Sequence, residues 1–451
     1  MSEIVKENKM GVMPIPKLLI SMAVPMMISM MVQALYNVVD SIFVARLSED
    51  ALTSVSLAFP MQNLMIAVGS GIGVGTNAML SKKLGEKEFE TASSAALHGI
   101  FLSVIAYVIF ALFGLFFTRT FFEGQTDIPV IINGGVEYLT TICILSFGLF
   151  GQIIMERLLQ STGMTFYSMI TQATGALINI ILDPIMIFGL WGFPRLGIRG
   201  AAVATVFGQV IATGLAVYFN IHKNKEINLS LKGFRPKPAM IGQILYVGVP
   251  SIIMVAITSI TIFGLNRILM QFTSTAAAVL GAYFKLQSFI MMPVFGLNSG
   301  MIPIIAYNYG ARRGKRIFDT IKLSVLIATA IMILGIIILH VFPAQLLLLF
   351  NASDHMIRIG VPALETISLS FVFAGYCIVS SSVFQAFGKG MLSMIVSIMR
   401  QLVVLLPAAW LLARTGELSN VWWAYPLAEL MSVILCTWFL IRIYRTIIQK
   451  L

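Results

Sequence analysis

The stretch Gln33-Ala34-Leu35-Tyr36-Asn37-Val38-Val39-Asp40 stands near the far end of the first long apolar segment, and the rest of the chain is read from it. An ionised carboxylate in hydrocarbon costs about 2.5–3.5 kcal/mol even on lenient insertion scales, so such a residue is expected to face a cavity and to act. Gln33 and Asn37 are four residues apart, as are Tyr36 and Asp40, and Asn37 and Asp40 are three apart. On a helix these four are expected to make one polar stripe. A second carboxylate, Asp183 in Asn179-Ile-Ile-Leu-Asp183-Pro184, again falls late in an apolar segment. The expectation is one proton- or cation-binding site shared by Asp40 and Asp183. The structural alternative is two unrelated, hydrogen-bonded buried acids.

Composition supports a membrane setting. Of 451 residues 58% are hydrophobic and only 11% charged, with a mean hydropathy of +0.92. Soluble chains carry about twice that charged fraction. The chain therefore reads as an all-α integral membrane protein with the lipid bilayer as its solvent. Met1 to Lys17 is polar and the first apolar run is long enough to span, so no cleavable signal is expected. Cys143, Cys377 and Cys436 all lie in apolar segments and read as free thiols. No Cys/His ligand spacing appears, so neither a structural metal nor a cofactor is expected, apart from a coupling ion.

Twelve apolar runs are long enough to cross, near 16–45, 51–80, 92–118, 130–156, 166–190, 200–222, 240–268, 275–305, 318–343, 357–386, 391–413 and 421–445. Twenty-one of the thirty Lys and Arg sort to the side of the N-terminus, Lys6 and Arg157 among them. Seven sort to the other side, and Lys285 and Arg400 lie within spans. This bias places both termini in the cytoplasm and makes the net charge of +11 a topology signal, with no nucleic-acid partner expected.

A shift of 225 residues lays Pro25 on Pro250, Gly75 on Gly300, Gly85 on Gly310, Gln160 on Gln385 and Gly163 on Gly388. The chain thus divides into residues 1–222, a basic linker 223–239, and residues 240–451. Six spans in each half imply two six-helix bundles related by a parallel pseudo-two-fold axis along the membrane normal, an arrangement common in carriers. The repeat fails where the acids are: Asp40 falls on Leu265, Asn179 on Val404 and Asp183 on Ala408. The coupling site is therefore expected in the first half alone.

Other features have plainer readings. Pro25 and Pro184 lie inside spans, where a proline frees a carbonyl and permits a kink. Gly69-Ser-Gly-Ile-Gly-Val-Gly75 follows no strand and reads as close helix packing. Gly85 and Gly310 read as helix stops. In the second half Lys285 and Glu429 are expected at similar depth as an ion pair, with Arg400 nearer the cytoplasm; a substrate or proton-relay network of the three is the alternative.

Several landmarks together resemble the multidrug and toxic compound extrusion (MATE) family. They are the twelve spans, the parallel repeat, Leu182-Asp183-Pro184, Gly200-Ala-Ala-Val-Ala-Thr205-Val, Met292-Pro-Val-Phe-Gly-Leu-Asn298 and Tyr307-Asn-Tyr-Gly-Ala. The likeness is greatest to its bacterial DinF/MepA-like branch. It implies a V-shaped pair of bundles in the plasma membrane, and a cation site of Asp40, Asn179, Asp183, Thr205 and Ala201. If sodium is the coupling ion, Asp40, Asn179 and Asp183 are its expected ligands. It further implies no enzymatic activity and export of cationic amphipathic organic compounds by a monomer, driven by protons or sodium. A flippase for lipids or lipid-linked sugars is the nearest alternative, but the spans hold only Lys285 and Arg400 to meet anionic headgroups. An ion channel is the alternative from another class.

Overall fold

The computed structural model describes residues 7–350 and 352–451; Lys6, counted above with the basic side, lies outside them. All regular elements among the described residues are helical. In lipid a backbone must satisfy its own hydrogen bonds, and a helix does so within one segment. The spans are α1 (Ile15–Ala45), α2 (Glu49–Gly85), α3 (Phe89–Phe116), α4 (Pro129–Ile144 with Phe147–Ser161), α5 (Thr165–Phe188) and α6 (Ile198–His222). The second half supplies α7 (Pro238–Leu269), α8 (Ser274–Gly310), α9 (Gly314–Val341), α10 (Asp354–Ser368 with Phe371–Ala386), α11 (Gly390–Ala413) and α12 (Ala424–Thr446). Cys143, Cys377 and Cys436 are free and buried.

Two spans read as single runs are broken. α4 bends by 45° and α10 by 50°. The breaks fall at Leu145-Ser146-Phe147 and Leu369-Ser370-Phe371, where the Ser146 and Ser370 amides donate three residues back, to Cys143 and Ile367. Such a tight turn changes the helix direction. α1 and α5, by contrast, continue as single helices through Pro25 and Pro184.

The repeat extends to the ends of the elements. Moved on by 225 residues, α2 becomes α8, α3 becomes α9 and α5 becomes α11, each with the same first and last residue. Ser48 caps α2 by accepting from the Ala51 amide, and Thr273, its equivalent, caps α8 by accepting from Thr275. α1 packs on α5 and α8, while α7 packs on α11 and α2, so contacts within and between the halves both repeat.

Glycine sets the join between the halves. A Cβ on Gly71 would stand 2.7 Å from the Gly248 carbonyl oxygen, and one on Gly300 2.8 Å from Ala23 Cα. Near the axis the contact is self-complementary: Gly85 lies against the Tyr307 carbonyl and Gly310 against Lys82, the residue equivalent to Tyr307. The helices do end at Gly85 and Gly310, as read from the sequence, but not through a left-handed glycine cap. Neither has positive φ; the left-handed turn falls two residues later, on Lys87 (φ 63) and Arg312 (φ 55). The glycines serve close approach instead.

All these contacts lie toward the end of the molecule that carries the termini. There Asn8 donates to the Thr162 carbonyl (3.1 Å), Asn308 to the Met10 carbonyl (3.0 Å) and Arg316 to the Met13 carbonyl (2.7 Å), stitching the first residues to both halves. The linker is pinned to α3, where the Lys237 amide donates to His98 Nε2 (2.8 Å). Each half keeps a cavity of its own.

Overpacking such a join costs about 1–3 kcal/mol. Gly75→Leu, beside the Ile244 backbone, should therefore lower the thermal midpoint in detergent by several degrees. Gly242→Leu, with nothing within 4 Å of the new Cβ, should leave it near wild type. Equal midpoints would contradict the seal.

Candidate functional site

The first-half cavity, about 250 Å³, lies between α1, α2, α4, α5 and α6. α1 presents Gln33 and Tyr36 to it, α5 presents Gln172 and Asn179, and α6 presents Thr205. The cavity joins α1 to α5 through Gln172 Nε2, which donates to Gln33 Oε1 at 3.0 Å. Neither acid lines the cavity: Asp40 and Asp183 lie close to each other one helical step beyond it. Asp183 is fully buried. Asn179 Nδ2 lies 3.3 Å from Asp183 Oδ1 and 3.2 Å from Thr205 Oγ1, so one amide ties α5 to α6 and steadies the acid.

The arrangement is short of positive charge. Asp40 Oδ1 and Asp183 Oδ2 are buried with no donor in reach, as is Asn179 Oδ1. A buried acceptor left unmet costs about 1–3 kcal/mol, and two bare carboxylates in contact repel as well. A proton shared between the acids, or a small cation among these oxygens, relieves both penalties. The residues present fit either ion.

Not every expected residue is part of this cluster. Asn37 is exposed and outside the cavity lining, because it lies on the edge of the α1 stripe rather than along it. Ala201 is buried one turn before Thr205 and has no side-chain ligand to offer. Other participants went unnamed in the sequence reading. Gln62 donates to Tyr138 (3.1 Å), and Tyr138 and Tyr36 flank the two acids. Glu156, 6% exposed, accepts from Gln152 (3.0 Å) and Thr171 (3.1 Å) at the other end of the cavity. The spacing of Gln152, Glu156 and Gln160, four residues apart each time, is the signal that would have found them. Arg157, sorted above with the basic loops, instead lines this cavity and donates to Gln160 (2.8 Å). Its stem lies across Gly73, where a Cβ would stand 2.7 Å away.

The second-half pairing also differs from expectation. Arg400, not Lys285, binds Glu429, with Nη1 2.8 Å from Oε1. Lys285 lies over the Phe350 ring at 5.7 Å. Arg400 lies in a π-helical stretch, Met399–Leu405, in which the Leu406 amide donates five residues back, to Gln401. Pro407 follows and has no amide to donate, so the α pattern is interrupted there.

Residues 25–185 and 250–411 match the family described as MatE, one stretch in each half. The chain belongs to the MatE family. The multidrug export protein MepA of Staphylococcus haemolyticus is 27% identical to it, over 93% of this chain and 92% of that protein. The FAD transporter of Shewanella oneidensis is 25% identical over 95% of each. The solved outward-facing conformation of a multidrug resistance MATE family transporter superposes with a TM-score of 0.93 at 25% identity, covering all of both chains. A MOP superfamily transporter from Pyrococcus furiosus gives 0.91 at 26% identity, over 98% of this chain and 99% of that one. The protein is thus a multi-pass membrane transporter of this family and not an enzyme.

Removing one partner of a buried ion pair costs about 3–5 kcal/mol, whereas a cation over an exposed ring is worth about 0.5–1 kcal/mol. Glu429→Ala should accordingly lower the thermal midpoint far more than Lys285→Ala. Similar shifts for the two would contradict the pairing.

Proposed function

We propose that this MatE-family chain is a secondary active antiporter that exports small organic molecules from a bacterial cell in exchange for protons or sodium. The observation that carries the reading is the closeness of Asp40 and Asp183 just beyond the first-half cavity lining, each with a buried oxygen that no donor among the described residues reaches. Loading this pair with an ion from outside removes its unmet charge, and unloading on the other side restores it. A transporter is driven by a ligand only through differential affinity for its two conformations. An acid pair satisfied in one state and starved in the other has that property.

The direction of transport draws on the charge bias, from which the join and both termini are assigned to the cytoplasmic side. Cationic amphipathic cargo suits the first half, where Glu156 lines the cavity and Asp40 and Asp183 lie just beyond it, against the single Arg157 of the lining. The MepA relatives, named for multidrug export, support the same class. Both moving bodies lie in one chain, so a monomer suffices. A second reading, export of anionic cargo, draws on Arg157, which lines the cavity without a carboxylate at ion-pair distance, and on the relative named an FAD transporter.

The test is uptake of ethidium, a permanent cation, and of flavin adenine dinucleotide into proteoliposomes under imposed pH or sodium gradients. Wild type should accumulate ethidium in response to one gradient. Asp183→Asn should lose at least about tenfold of that rate, equivalent to about 1.4 kcal/mol, with an unchanged thermal midpoint. Gradient-driven uptake at the wild-type rate in Asp183→Asn sinks the coupling scheme, currents without exchange point to a channel, and flavin uptake alone favours the second reading.

A further inference from the structure

The second half has its own cavity, about 300 Å³, between α7, α8, α10, α11 and α12. Nothing in the ion-coupling reading uses it. Its apolar wall includes Phe284, Met291 and Phe295, and Tyr283 packs edge-on to Tyr425 at 5.8 Å. The Arg400–Glu429 pair forms its polar end, where the π-helical stretch of α11 turns Arg400 and Gln401 inward. Stretches of this kind commonly mark functional sites. In the first half the equivalent positions are Gly175 and Ala176, which also line a cavity but bring no charge to it.

Three polar atoms of this wall are buried without a partner: Tyr283 Oη, Tyr425 Oη and Glu429 Oε2. Tyr283 is fully buried, and Glu429 is 8% exposed. Arg400 reaches only one oxygen of Glu429, so the pair keeps a free acceptor on one side and unused N–H groups on the other. The wall as a whole is electrically neutral. A simple cation would gain Glu429 but be repelled by Arg400. A group with both a donor and an acceptor, flanked by an aromatic ring, meets the free oxygen, the guanidinium and the two hydroxyls together.

We propose that this cavity is a cargo subsite for aromatic compounds with a neutral or zwitterionic hydrogen-bonding head, separate from the ion site in the first half. It rests on the exporter reading and names a cargo class for it: ion and head group are held in opposite halves.

The probes are ciprofloxacin, an aromatic zwitterion at neutral pH, and ethidium, measured by equilibrium dialysis against the purified full chain. Thr258, exposed on the cavity lining, is the repeat equivalent of Gln33 on the first-half cavity, which allows matched blocking variants. Thr258→Trp should weaken ciprofloxacin binding at least about tenfold and Gln33→Trp by less than about twofold. The double variant Tyr283→Phe with Tyr425→Phe removes two hydroxyls and little else. It too should weaken ciprofloxacin about tenfold, with ethidium binding held within about twofold, since each hydrogen bond is worth about 0.5–1.5 kcal/mol. Ciprofloxacin binding that falls in Gln33→Trp but not in Thr258→Trp, or that survives the double variant unchanged, overturns the subsite. Failure of the exporter reading is read separately: the chain would bind the zwitterion as described yet show no gradient-driven flux.

Discussion

The fold depends on backbones that touch. Between helices in lipid there is no hydrophobic gain to be had from association, so close approach and dispersion must hold them. Gly71, Gly75, Gly85, Gly296, Gly300 and Gly310 supply that approach, each standing against backbone of the other half. Because the glycines recur at the repeat distance, the join is symmetric about an axis near α2 and α8. It joins the halves toward one face of the molecule, while each cavity lies within one half, lined by that half alone.

On this symmetric frame the chemistry is asymmetric. The first half carries two acids in contact, and their equivalents in the second half, Leu265 and Ala408, are apolar. The second half carries Arg400 and a π-helical stretch where the first has Gly175 in regular α-helix. Duplication supplies two equivalent pockets between equivalent helices, and local substitution makes one acidic and the other neutral. A carrier needs its ion and its cargo to bias the same conformational equilibrium. On the proposed scheme, an ion site in the first half and a zwitterion subsite in the second bias that equilibrium without direct contact.

Much of the design was legible in the sequence. The number of spans follows from apolar run length, because hydrocarbon thickness fixes how many residues must be oily. The repeat distance and the confinement of the acids to one half follow from spacing alone; of the stripe Gln33, Tyr36, Asn37 and Asp40, spacing placed Gln33 and Tyr36 on the cavity but not Asn37, which is exposed. Glu156 and Arg157 were obscured because their span is broken, which brings what reads as the end of a segment into the cavity wall.

The sequence by itself determined which residues are stranded in oil and how often each helix turns between them, since both are local properties of the chain. Tertiary structure decided which stranded groups meet. That Asp183 lies close to Asp40, and that Glu429 takes Arg400 while Lys285 lies over a ring, depends on how each helix is rotated against its neighbours. A regular helix period carries no record of that rotation, and contact between two helices is set by how their backbones pack rather than by the spacing along either one.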